Sequence, residues 1–127
     1  MKGSVCAVLS DMNRPLYEVK AGLFKGLAHP IRIRILEILS GAAELSVSEL
    51  LGEIGLEASH VSQHLAVLRR NRLVTSERRG SLVYYSLAYP QVADLLRVAR
   101  VLLGEILETT QLQLAETGEL PEIPVRA

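Results

Sequence analysis

Ser59, Gln63, Ala66 and Arg70 recur at a spacing that puts them on one side of an α-helix, with His60 and Ser62 at its flanks. A carboxamide can pair with adenine, and a hydroxyl can donate to or accept from any base edge. Short polar side chains also let a helix lie close to the floor of a DNA major groove. The plain alternative is a solvated helix face, because polar residues are outside by default. Two cationic clusters weigh against it: Arg69, Arg70 and Arg72 end the segment, and Arg78 and Arg79 follow shortly after. Binding to the phosphate backbone needs Lys or Arg beside the reading element, and both clusters sit there.

The elements that must position these residues follow from periodicity and punctuation. Pro15 suits the first turn of a helix, and Leu16, Val19, Leu23, Phe24 and Leu27 repeat at helical period. Ala28-His29-Pro30 breaks that helix, and Pro30 suits N1 of a second. Its buried stripe reads Ile31, Ile35, Ile38 and Leu39, and Ser40-Gly41 ends it. A short helix spans Ser46 to Ile54 with Val47, Leu50, Leu51 and Ile54 inward, and Gly55 suits a left-handed position after it. Ala58 to Asn71 forms the next helix, with Val61, Leu65 and Leu68 on its apolar side. Two helices joined by a tight Gly-containing turn make a helix-turn-helix.

Beyond it the period changes. Leu73 to Glu77 and Leu82 to Leu87 are rich in β-branched and aromatic residues, and Arg78-Arg79-Gly80-Ser81 reads as the turn of a hairpin. Pro90 then opens a long helix, Gln91 to about Leu114. The expected fold is mainly α with a small β-hairpin, a winged helix-turn-helix in which the second helix of the pair enters the major groove. Three segments are expected: an irregular arm over 1–14, a single domain over 15–115, and an acidic Pro-containing tail over 116–127 that the composition marks as disordered.

Composition bounds the rest. A chain of 127 residues, 49% of them apolar, suits one domain with a core that needs no disulfide or metal. Formal net charge is zero, but it is unevenly spread: residues 57–85 hold five Arg against two Glu, and residues 86–127 hold three Arg against six acids. A neutral chain of this kind can still present a positive face. No apolar run approaches the roughly 18 residues of a membrane span. Asp11 interrupts the N-terminal apolar patch before it could form a secretory signal, so a cytoplasmic protein is expected. No catalytic constellation is present: no activated nucleophile, no acid pair placed for a cleft, no Gly-rich phosphate loop. An enzyme is not expected, nor a cofactor.

The words LAHPIRIRILEIL, LSVSELL, ASHVSQHLAVLRRNRLV and RRGSLVYYSL, spanning Leu27 to Leu87 in order, resemble the ArsR/SmtB family of bacterial winged-helix repressors. The resemblance implies a homodimer held by the first and last helices, bound to an imperfect inverted repeat and released by a ligand or metal. It places base contacts on Ala58, Ser59, Ser62 and Gln63, and the wing on Arg78, Arg79, Gly80 and Ser81. The chain departs from the family pattern at Glu57, where a Ser or Thr cap is usual. Glu is a poor cap, although its charge suits the helix dipole. Ser59 is the alternative cap, which would shift the helix start. Ala58 also replaces a polar residue.

The family's thiol site falls beside LSVSELL, where this chain has Ser46 and Ser48. Hydroxyls cannot replace thiolates toward soft metals. Ser46 with Glu49 three residues later reads instead as a capping box, and Ser48 as a solvated residue of the first turn. The family's other common site, on the last helix, falls on Tyr89, Gln91 and Leu102, with Glu105 the one remaining oxygen ligand. His60 and His64 have metal-compatible i, i+4 spacing but lack a third ligand, and His29 reads as a helix-boundary residue. No metal site is therefore expected. Cys6 stands alone, an exposed thiol on a loose end or a redox link between subunits. The leading expectation is a sequence-specific DNA-binding repressor with an unnamed effector. The alternatives are a winged-helix module that binds protein and a redox-responsive repressor acting through Cys6.

Overall fold

Three junctions position the reading head, and at two of them a side-chain hydrogen bond sets the helix start. The computed structural model describes residues 14–117, with side chains through residue 113. It contains α1 (Leu16–Leu27), α2 (Pro30–Ser40), β1 (Leu45–Ser46), α3 (Val47–Ile54), α4 (Ala58–Arg70), β2 (Val74–Arg79), β3 (Leu82–Leu87) and α5 (Gln91–Thr117). At the first junction His29 is extended (φ −156°, ψ 133°), and its Nδ1 accepts the N–H of Ile31 at 3.1 Å. Pro30 occupies N1, where no N–H is needed.

The second junction is the expected capping box. Ser46 Oγ accepts the N–H of Glu49 at 3.1 Å, and Glu49 Oε1 accepts the N–H of Ser46 at 2.8 Å. Two donors that a helix start leaves unpaired are thereby satisfied. Gly55 closes the same helix in the left-handed conformation (φ 76°), donating its N–H to Leu51 O at 2.9 Å. At the third junction Glu57 is the N-cap residue, extended and without a side-chain cap bond. Its carbonyl accepts the N–H of His60 and of Val61. The helix therefore starts at Ala58, and the later start with Ser59 as cap is not adopted.

The chain divides at Ala93/Asp94 into two units. In the first unit α2 packs against α3 and α4. Ile35, Leu36 and Leu39 of α2, Leu50 of α3 and Val61, Leu65 and Leu68 of α4 are all buried. Each such side chain contributes about 1.5–3 kcal/mol when removed from water. The stripe expected on α2 needs one correction: Leu36 is fully buried, whereas Ile31 and Ile38 are only half-buried. On α3 only Leu50 is fully buried, and Val47, Leu51 and Ile54 are partly covered.

The hairpin gains a third strand that the sequence did not announce. β1 pairs antiparallel with β3, Leu45 with Tyr85 and Ser46 with Tyr84, so the order is β1-β3-β2. β2 also runs further than expected. Arg78 pairs with Val83 and Arg79 with Leu82, so the turn is only Gly80-Ser81, with Gly80 at φ 64°. A two-residue turn demands a positive φ, which Gly supplies without strain. Arg78 and Arg79 are thus strand residues and not the turn itself. In the second unit α5 extends to Thr117, a little beyond the expected end.

Ser46→Ala removes one half of the capping box. It should lower unfolding free energy by about 0.5–2 kcal/mol in urea denaturation. An unchanged midpoint would show that the box contributes nothing.

Candidate nucleic-acid interface

Because Val61, Leu65 and Leu68 are buried, the opposite side of α4 is turned outward. Ala58, Ser59, His60, Ser62, Gln63, Arg69 and Arg70 are all exposed. Ala66, expected on the same side, is half-buried. The first two turns of α4 therefore present hydroxyls, an imidazole and a carboxamide, and its last turn presents guanidinia. Arg70 has no hydrogen-bond or ion-pair partner among the described residues. Arg69 is turned instead toward the sheet, where its Nη1 lies 3.4 Å from Ser76 Oγ.

The wing separates two neighbouring arginines. Successive strand residues point to opposite faces. Arg78 shares its face with Val74 and Ser76, the face that α4 packs on. It is exposed and has no ion pair or hydrogen-bond partner among the described residues. Arg79 lies on the other face with Glu77, Tyr84 and Ser46. It makes a two-pronged contact with Glu44 (2.6 and 2.7 Å), a third bond to Glu77 (3.0 Å), and passes 4.7 Å over the Tyr84 ring. The hydrogen bond from Arg79 holds the Glu44 carboxyl below its ordinary pKa, and the same bond raises that of Arg79. Arg79 is therefore a brace between the wing and the segment leading into α3. Ser81 stands exposed in the turn.

A third cluster was not legible as such in the sequence. The rings of His29 and His64 lie 4.1 Å apart, tilted by 41°. Arg32 lies beside the pair, its Nε donating to Gly26 O at 2.7 Å and its Nη1 to His64 Nδ1 at 3.4 Å. An arginine can only donate, so His64 must accept there with an unprotonated Nδ1. Burial first, then the neighbouring His29, Arg32 and His60, push the His64 pKa below its ordinary value. The cluster joins the α1/α2 corner to the reading helix. Gly26 belongs to the same joint: a Cβ there would come within 2.9 Å of the Asn71 side chain at the end of α4.

This arrangement has clear relatives. Residues 29–76 match the family described as "Bacterial regulatory protein, arsR family". The chain is 51% identical, over 75% of its length and 83% of the relative's, to an uncharacterized HTH-type transcriptional regulator of Mycobacterium tuberculosis, Rv0081. The protein belongs to the ArsR family. The crystal structure of Rv0081 matches it with a TM-score of 0.70 at 49% identity, covering 77% of this chain and 98% of that one. It is 37% identical, over 81% of its length and 83% of the relative's, to the arsenic resistance transcriptional regulator ArsR1 of Pseudomonas putida. The transcriptional repressor PagR of Bacillus anthracis matches at TM-score 0.59 and 32% identity, covering 65% of this chain and 94% of that one.

As a member of the ArsR family, the chain is a winged-helix, DNA-binding transcriptional regulator and not an enzyme. Among the described residues, no three His, Cys, Asp or Glu side chains gather as metal ligands, and no helix is long and apolar enough to cross a membrane. Ser46 and Ser48 carry hydroxyls, and that of Ser46 accepts the N–H of Glu49 in the capping box. Cys6 and the tail beyond Thr117 lie outside the described residues.

The His64 joint predicts a pH dependence. Its folded pKa lies below the unfolded value, near 6.5, so its contribution is present above that pH. As pH falls from there through the folded pKa, the unfolded chain binds the proton more readily and stability is lost. His64→Gln should show a smaller loss of melting temperature between pH 7 and pH 5 than the unsubstituted protein. Equal losses would remove His64 as the cause.

Proposed function

We propose that the protein is a homodimeric repressor that reads an inverted-repeat operator in the cytoplasm and is released by a signal other than a metal. The observation that carries the reading is the exposed first half of α4, held in one rotation by its buried stripe, with the exposed Arg78 on the face of the wing that α4 packs on. Ser59, Ser62 and Gln63 face base edges, with Ala58 and His60 beside them. Arg70, Arg78 and Ser81 serve the phosphate backbone. Arg79 acts through Glu44 by holding the wing in place.

The dimer reading rests on uncovered apolar surface. On α1, Leu16 is 67% and Phe24 53% exposed; on α5, Leu102 is 56% and Ile106 50% exposed. Apolar stripes of this extent on a single chain mark surfaces that pair. A two-fold dimer would present two reading helices to two half-sites one helical turn apart. The domain that does this spans about 15–115, with an arm before it and an acidic tail after it. The non-metal signal follows from hydroxyls standing where thiolates are required.

The test is a gel shift on the protein's own promoter region. Saturable binding that survives excess random DNA is expected, and binding without sequence preference would overturn the repressor reading in favour of a protein-interaction module. Gln63→Ala should relax discrimination at one position of each half-site, by about 1–3 kcal/mol. Arg78→Ala should weaken binding to all sequences and flatten the log–log salt dependence by about one; Arg70→Ala should act alike. Light scattering at micromolar concentration should give the mass of a dimer, and that of a monomer for Ile106→Glu.

A further inference from the structure

Helix α4 ends in an unusual way. Arg72 N–H bonds Arg69 O at 3.0 Å, and Leu73 N–H bonds Leu68 O at 3.0 Å. Together these bonds form a Schellman motif, whose left-handed position is ordinarily glycine. Here that position is Arg72, the only non-glycine residue with positive φ (61°) among the described residues. A side chain there is strained relative to glycine.

What the strained residue delivers is a second guanidinium. Arg72 and Arg69 line one open cleft of about 340 Å³, together with Thr75, Ser76 and Tyr89, with Val74 and Ala88 as apolar wall. No carboxylate lines it. Neither arginine has an ion pair among the described residues, and the only hydrogen bond between these lining side chains is the long one from Arg69 to Ser76 Oγ. The Ser76 hydroxyl accepts from Arg69 and so keeps its own proton to donate. Two planar guanidinia beside the Ser76 hydroxyl match the oxygens of a phosphate or carboxylate. The volume is at the lower end of that of small-molecule sites.

The cleft stands away from both reading ends. Arg69 lies ten residues along α4 from Ser59, about 15 Å at the helical rise. Thr75 lies about 16 Å along the strand from the Gly80-Ser81 turn. We propose that this cleft binds a small free oxyanion, a molecule bearing a phosphate or carboxylate group, at the joint between α4 and β2. An occupant would tie the end of the reading helix to the root of the wing. That regulatory consequence rests on the repressor reading above; the binding itself does not.

The test is titration of the DNA-free protein with inorganic phosphate and, separately, citrate, followed through the arginine Nε–H resonances. Saturable shifts at Arg69 and Arg72 are expected in the millimolar range or tighter. Arg72→Gly suits the left-handed position, so its melting temperature should not fall, while its affinity for the anion should drop at least tenfold. Arg69→Gln should do the same to affinity. Shifts that do not saturate, or that persist unchanged in both variants, would overturn the proposal. So would a silent titration combined with a flatter salt dependence of DNA binding in both variants, which would assign the arginines to backbone phosphate instead.

Discussion

The rotation of α4 about its own axis is the constraint on which the candidate interface depends. Val61, Leu65 and Leu68 are buried where α4 packs on α2, whose Ile35, Leu36 and Leu39 are buried too, and no other rotation buries the three together. A slip of one residue would turn the helix by about 100° and put Gln63 and Ser59 to the side. The hydrophobic core therefore determines which polar atoms face outward, and it does so although none of its members is polar. The start of the helix is less well secured. Glu57 supplies only its carbonyl, so register comes from burial and not from a cap.

A second level of organisation runs through one short segment. Glu44 takes Arg79 from the wing, Ser46 pairs with Tyr84 of the sheet, and Ser46 and Glu49 close the start of α3. Glu44, Ser46 and Glu49 thus serve wing, strand and helix within one short segment. The exposed Arg79–Glu44 contact is screened by water and salt, so its value is geometric more than energetic. It also explains how a chain rich in arginine near its wing leaves only some of those cations available. Arg79 is engaged and Arg69 is turned to the sheet, whereas Arg70 and Arg78 are without partners among the described residues.

Much of this was legible in the sequence because it is local. The capping box is a four-residue pattern, Gly55 and Gly80 sit where only a positive φ closes the turn, and the Val61-Leu65-Leu68 stripe repeats at helical period. What escaped is what depends on distant pairing. Strand β1 is two residues long and exists only because β3 lies beside it. Glu44 and Arg79 are 35 positions apart, as His64 is 32 from Arg32, and no spacing rule connects them. The division of Arg78 from Arg79 was hidden for a different reason: the turn was read two residues too long, which concealed the alternation that sends them to opposite faces. Arg72 gave no signal at all, since its conformation follows from the way α4 meets β2.

The joining of β1 to the hairpin has a mechanical meaning. A wing attached only through its own strands could swing about their base like a flap. Here the outer strand pairing and the Glu44 contact fasten it along a second line, close to the start of α3. Two attachments restrict that swing, so the placement of the wing is tied to the segment before α3 as well as to its own strands.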